Sequence, residues 1–245
     1  MNGVSLGARF SLATNQLEYC GPQGASPLLY GAITRGEALE AAGRTLLQFE
    51  ALGVYLEALA AKHHGDPLSE DVFEAYWIGN PLLDAFEERD FLPILEGLVR
   101  RGLPRRLADS LAARLPKGAI PHHVFHVCYV GVGNVTGHVA TTLANMEACR
   151  TAWGRVISIE GSQLVLRKSS LVAKEGALDL GPEQEVTVKY DPLVLPDVRV
   201  GSEVALHWNW PALVLSSRQR ASLERYTRAS LAAASLALPP ALLHP

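Results

Sequence analysis

The chain has 245 residues, of which 48% are hydrophobic and 19% charged, and its formal net charge is −3. That length is enough to bury a core in one large domain or two small ones, and the composition excludes a disordered chain. A slightly acidic chain offers no basic field for nucleic acid or an anionic membrane, and no apolar run approaches the length of about 18 residues that a membrane helix needs.

The opening residues MNGVSLGARF lack the charged region, apolar run and cleavage site of a secretory signal. The expected compartment is the cytoplasm. The cysteines are Cys20, Cys128 and Cys149, an odd and sparse set that argues for free thiols over a disulfide framework. Cys20 sits in Glu18-Tyr19-Cys20-Gly21-Pro22, where glycine and proline dictate a turn or loop. From about Gly36 to His63 the pattern is helical, with Leu52, Tyr55, Leu56 and Leu59 on one face, and His63-His64 closes it. Ser69-Glu70-Asp71 supplies the cap and first-turn acids of a second helix, which places Phe73, Tyr76 and Trp77 together. Shorter helices are expected over 82–89, 91–101 and 104–114, each bounded by Pro or Gly.

The run Pro121-His122-His123-Val124-Phe125-His126-Val127-Cys128 reads as an alternating strand. On it, His122, Val124, His126 and Cys128 point one way and His123 and Phe125 the other, so His126 and Cys128 are placed to grip one metal ion. Buried packing is the alternative for that thiol. Gly131-Val132-Gly133-Asn134-Val135-Thr136-Gly137 matches neither a dinucleotide fingerprint nor a phosphate loop, and reads as a tight turn or a close backbone approach. Residues 138–149 return towards helix. Beyond Trp153, GRVISIE, SQLVLRKSSLVA, EVTVKYD and EVALHWNW are short β-rich runs parted by turn residues, a spacing that suggests a small barrel. Ser216 and Gln219 form a capping box for a closing helix that carries Leu223 and Tyr226, and the Pro-rich tail at 238–245 reads as loose.

In Cys149-Arg150-Thr151-Ala152-Trp153-Gly154-Arg155-Val156 a cysteine is followed by a glycine five positions on and then a valine. The last third of the chain, which this motif opens, resembles the HypC/HupF family of hydrogenase-maturation chaperones, which begin with Met-Cys-Leu-x-x-Pro-Gly-x-Val. ISIEGSQLVLR resembles the family's second strand and turn. PDVRVGSEVALHWNW resembles its Pro-Asp-Val-x-Val-Gly-Asp-x-Val segment and puts His207 on the family histidine. Two departures stand out: the cysteine is internal rather than next to the initiator methionine, and Trp153 replaces the proline.

The resemblance implies an α+β chain in two parts. A mainly helical domain would occupy 1–148, and an OB-like, HypC-like β-barrel with its closing helix would occupy 149–237. It also implies a chaperone that holds iron with cyanide and carbonyl ligands, through Cys149 and His207, for a hydrogenase large-subunit precursor or a HypD-type scaffold. A soft thiolate and a neutral imidazole suit such an iron, and Arg150 or Arg155 is the expected cationic aid to the thiolate. Cys128, His126, Cys20, His122 and His123 are candidates for a second site or an extension of the first. Trp208 and Trp210, in Trp208-Asn209-Trp210-Pro211, are candidates for a partner surface or a lid. Two rivals stand beside this reading: an enzyme acting on a small molecule through its Cys and His groups, and a metal-free protein-binding adaptor.

Overall fold

In the computed structural model of the chain, the described residues are 2–237; the expected loose tail at 238–245 lies outside them. Helix α1 (Gly3–Gln16) starts at Asn2, whose side chain accepts the Val4 amide at 2.9 Å. Of its 14 residues 11 are buried, Phe10 and Leu12 completely, so it forms the centre of the molecule. Around it lie α2 (Ser26–Thr34), α3 (Leu39–Leu46), α4 (Leu52–His63) and α5 (Glu70–Trp77). The single helix expected over 36–63 is two helices. The chain turns between them and drops Phe49 onto Gly21, where a Cβ would lie 2.4 Å from the Phe49 ring. Ser69 caps α5 as expected, its hydroxyl accepting the Val72 amide. The stretch expected to be helical over 82–89 contains two 3₁₀ turns, Pro81–Ala85 and Glu88–Phe91, followed by α6 (Leu92–Arg100) and α7 (Arg105–Ala112).

The histidine-rich run is not a strand. It forms α8 (His123–Phe125), which widens into a π-turn at His126–Gly131. Every residue from Pro121 to Gly131 is buried, so no polar face is present to distinguish a period of two from a helical one. In the helical form His123 and His126 share a face, and Cys128 leaves it. Helix α9 (Leu143–Cys149) is capped by Thr142, which accepts the Asn145 amide at 3.2 Å.

Five antiparallel strands follow: β1 (Ala152–Glu160), β2 (Gln163–Lys174), β3 (Ala177–Lys189), β4 (Glu203–His207) and β5 (Trp210–Val214). Their order is β3-β2-β1-β4-β5. The sheet is open, which corrects the expected barrel. Closure requires β3 to pair with β5, but β5 is five residues long and lies against α1. The closing helix α10 (Ser217–Ser235) covers β3 instead. Its capping box, Ser216 with Gln219, is formed as the sequence indicates. The fold is α+β, and its largest apolar cluster draws on both sides of position 149, running from Val4 to Ala234. A smaller cluster, including Val156, Leu164, Leu166 and Val204, lies within the sheet.

Candidate metal centre

Cys149 ends α9 and is locked there by a buried knot of charge. Glu147 takes Arg150 Nε at 2.7 Å, Lys168 Nζ at 2.5 Å and the Leu171 amide at 2.6 Å, while Arg150 also donates to the Ser169 carbonyl. Burial works against the Glu147 carboxylate, but Arg150 and Lys168 outweigh it and hold the pKa below the usual range. This knot ties α9 to β2. A second tie, from the Trp208 amide to the Ala148 carbonyl at 2.6 Å, brings the end of β4 beside it. The β4–β5 turn consists of Trp208 and Asn209, with φ of 52° and 57°. Two positive φ values match the twist of a tight hairpin, and a tryptophan there is under backbone strain. In this turn the Trp208 indole lies against Tyr19, with ring centroids 4.6 Å apart.

These ties converge three side chains. Cys149 Sγ lies 3.7 Å from His207 Nε2 and 3.9 Å from His123 Nε2. The three ligand atoms all lie within 4.8 Å of one another, and all three residues are buried. One ion at ordinary bond lengths, about 2.3 Å to sulfur and about 2.0 Å to nitrogen, holds a sulfur and a nitrogen about 3.5 Å apart in tetrahedral geometry. The observed separations fit that span with small adjustments.

The hydrogen bonds around the cluster orient its nitrogens. His207 Nδ1 donates to the Phe10 carbonyl at 2.6 Å, so its Nε2 lone pair faces the sulfur. His123 Nε2 is 2.8 Å from the Cys149 carbonyl, to which it donates, and its Nδ1 is 3.0 Å from the Tyr76 hydroxyl. That hydroxyl both donates and accepts, so it serves either imidazole tautomer, including the one that frees Nε2 for a cation. Trp77 fills the space behind, its ring 4.4 Å from His123 and 5.0 Å from His207.

The cluster opens on a cavity of about 60 Å³ whose lining also includes Cys20, His126 and Trp208. That is room for a few water-sized atoms. His126 is held by the Tyr55 hydroxyl at 3.1 Å and stacks on His123 at 6.4 Å. The Gly131–Gly137 loop forms one wall. Gly133, at φ 79°, lies so close to Val139 that a Cβ would sit 1.8 Å from its carbonyl oxygen, the close backbone approach its sequence indicates.

Burial sets the protonation states. It pushes the Cys149 thiol well above its ordinary value, with the Cys20 thiol adding to the effect and the Trp208 indole opposing it. It lowers His207 to about 4 against the Phe10 carbonyl, and His126 to about 4. His123 falls well below its ordinary value through burial and then through its neighbours His207 and His126. The site therefore presents neutral imidazoles and a neutral thiol at neutral pH. A bound cation is what would drive the proton off the sulfur. Neither expected arginine does so: Arg150 is spent on Glu147 and Ser169, and Arg155 is exposed.

The structure thus gathers Cys149, His207 and His123, with His126, Cys20 and Trp208 around the same cavity. Three candidates lie elsewhere. Cys128 is buried away from the cavity lining, its thiol pushed up to about 12 by burial with Arg150 opposing. His122 turns to Ser230, 3.4 Å away. Trp210 lies along a surface groove beside Lys189. Tyr76 and Trp77, read only as a helix face, prove to be part of the site, as do Tyr55 and Ser11, which carry no motif. Among the described residues no helix is long and apolar enough to cross a membrane.

Fold and site together define an α+β protein with a buried His-Cys-His cluster suited to a thiophilic metal ion. The chain belongs to a family described as of unknown function, DUF6390, which matches residues 1–239. No curated protein and no solved structure matches it.

Proposed function

We propose that the protein binds a first-row transition metal through Cys149, His207 and His123, and that it serves as a cytoplasmic accessory protein of nickel-iron hydrogenase maturation. In this reading the metal is iron carrying cyanide and carbonyl ligands, and it is cargo. The partners are a hydrogenase large-subunit precursor or a HypD-type scaffold. What supports the reading is one coincidence. Cys149 and His207, 58 residues apart, are the pair singled out by the resemblance to HypC/HupF chaperones, and they meet at 3.7 Å in a buried cavity beside a third imidazole. The open sheet removes the barrel from that resemblance, which now rests on residue order and on the site. Few protein ligands leave coordination positions free, as a carrier requires.

A second reading has its own observation. Cys149, His207 and the Phe10 carbonyl form the nucleophile, base and orienting group of a thiol enzyme. The directions of the pKa shifts oppose it, because the thiol is raised where a nucleophile needs it lowered. Infrared spectroscopy of protein made anaerobically beside the hydrogenase maturation factors separates the readings. Cyanide and carbonyl stretches that vanish in Cys149→Ala are the expected result. Wild-type protein without those stretches and without iron would sink the carrier; turnover of a small molecule that needs Cys149 and no partner would establish the enzyme.

A further inference from the structure

The cavity beside the cluster has an unbalanced wall. Three hydrogen-bond donors belonging to its lining residues make no formed hydrogen bond: the Ser11 hydroxyl, the Trp77 indole N–H and the Trp208 indole N–H, the last lying near enough to the Cys149 sulfur to act on its thiol. Ser11 is 1% exposed and Trp77 3%. Groups of this kind are costly to bury unpaired and are ordinarily satisfied. Their neighbours do not relieve them. The Thr14 hydroxyl is committed to the Ser11 carbonyl, and the Tyr76 and Tyr55 hydroxyls to His123 and His126. Among the acceptors facing the cavity, the Cys149 sulfur and His207 Nε2 are the ones the metal reading assigns to the cation. Much of the remaining lining, including Phe49, Leu52, Val132, Val135 and Val139, is apolar.

We infer that this cavity is a subsite for a small anion of two or three heavy atoms bound to the metal, its outer end accepting hydrogen bonds from Ser11, Trp77 and Trp208. The inference rests on the metal reading above. A volume of about 60 Å³ admits an occupant of that size. Unpaired donors in the wall favour an acceptor. The apolar remainder makes burial of an anion unfavourable unless a cation shares the cavity. Metal and anion are therefore coupled, each raising the other's affinity by the same factor.

The test uses the full chain, cobalt(II) and azide. Cobalt is titrated first, and a thiolate-to-cobalt absorption band reports the Cys149 bond. Azide is then titrated into the loaded protein, read by the shift of the visible bands and of the azide infrared stretch. The expected result is saturable azide binding that tightens cobalt binding by an equal factor. Ser11→Ala and Trp208→Phe keep the thiolate band and weaken azide by about tenfold each, the loss of one hydrogen bond to a charged group. Trp77→Phe gives the same result if its thiolate band shows that the site has formed. A thiolate band in wild type with no azide response, or with the same azide affinity in Ser11→Ala and Trp208→Phe, overturns the subsite and assigns the donors to water. No thiolate band in wild type overturns the metal reading itself, and the subsite with it.

Discussion

Acid should destabilise this protein well before its carboxylates titrate. His122 is lowered by burial to about 3, and His126 and His207 to about 4, from an unfolded value near 6.5. Above pH 6.5 neither state binds these protons. As the pH falls below that value, the unfolded chain takes them up and the folded chain does not, so stability falls until the folded values are reached. Between pH 6.5 and 5.5 each histidine contributes a loss of about 1 kcal/mol, and the three together about 3 kcal/mol. His123 shifts in the same direction and adds to the loss. Carboxylates held low, such as Glu147 and Glu224, keep their contribution through this window and lose it only below about pH 4.5. For a chain of this size about 3 kcal/mol is a fall in Tm of about 6–12 °C. Thermal unfolding of the chelator-treated protein, followed by circular dichroism at pH 7.5, 6.5 and 5.5, measures it. His122→Gln, which lies outside the cavity, should flatten the slope by about 1 kcal/mol. A Tm that does not move between pH 7.5 and 5.5 would refute the assignment of buried neutral histidines.

Glu147→Ala leaves Arg150 (1% exposed) and Lys168 (5% exposed) buried without their counter-charge, and should cost about 3–5 kcal/mol. A loss below about 1 kcal/mol in urea unfolding would show that the knot is hydrated. Gly133→Ala forces a Cβ onto the Val139 carbonyl, whereas Gly137→Ala, at a similar φ of 76°, meets nothing within 4 Å. The first should lower Tm markedly and distort the cavity wall; the second should cost only the backbone term of about 1 kcal/mol. Equal effects at both positions would contradict the packed loop. Ala38 is exposed with φ 49°, so Ala38→Gly should raise stability by up to about 1 kcal/mol in the same unfolding assay.

Local chemistry made several elements legible. Ser69 and Ser216 marked their helices because a cap is a short-range hydrogen bond. The strands were legible from their β-branched runs, but closure was not, since it depends on whether distant edges meet. Helix α1 passed unread because it is buried nearly all round and shows no amphipathic stripe. The same property disguised α8 and its π-turn as a strand, and that error put His123 on the wrong face. Cys149 and His207 were legible through the order of residues around them, whereas their third partner was hidden by a wrong period. The roles of Tyr76 and Ser11 follow from packing alone, which no local pattern carries.

The Phe10 carbonyl that orients His207 lies 197 positions before it in the chain, and Tyr76, His123 and Cys149 come from three further segments. No fragment of the chain holds this cluster. On the proposed metal reading, cobalt bound there adds its free energy to the complete native state and to nothing smaller, in proportion to RT ln(1 + [L]/Kd). Loading then works as a check on finished folding: only a molecule whose first helix has already met its fourth strand presents the site.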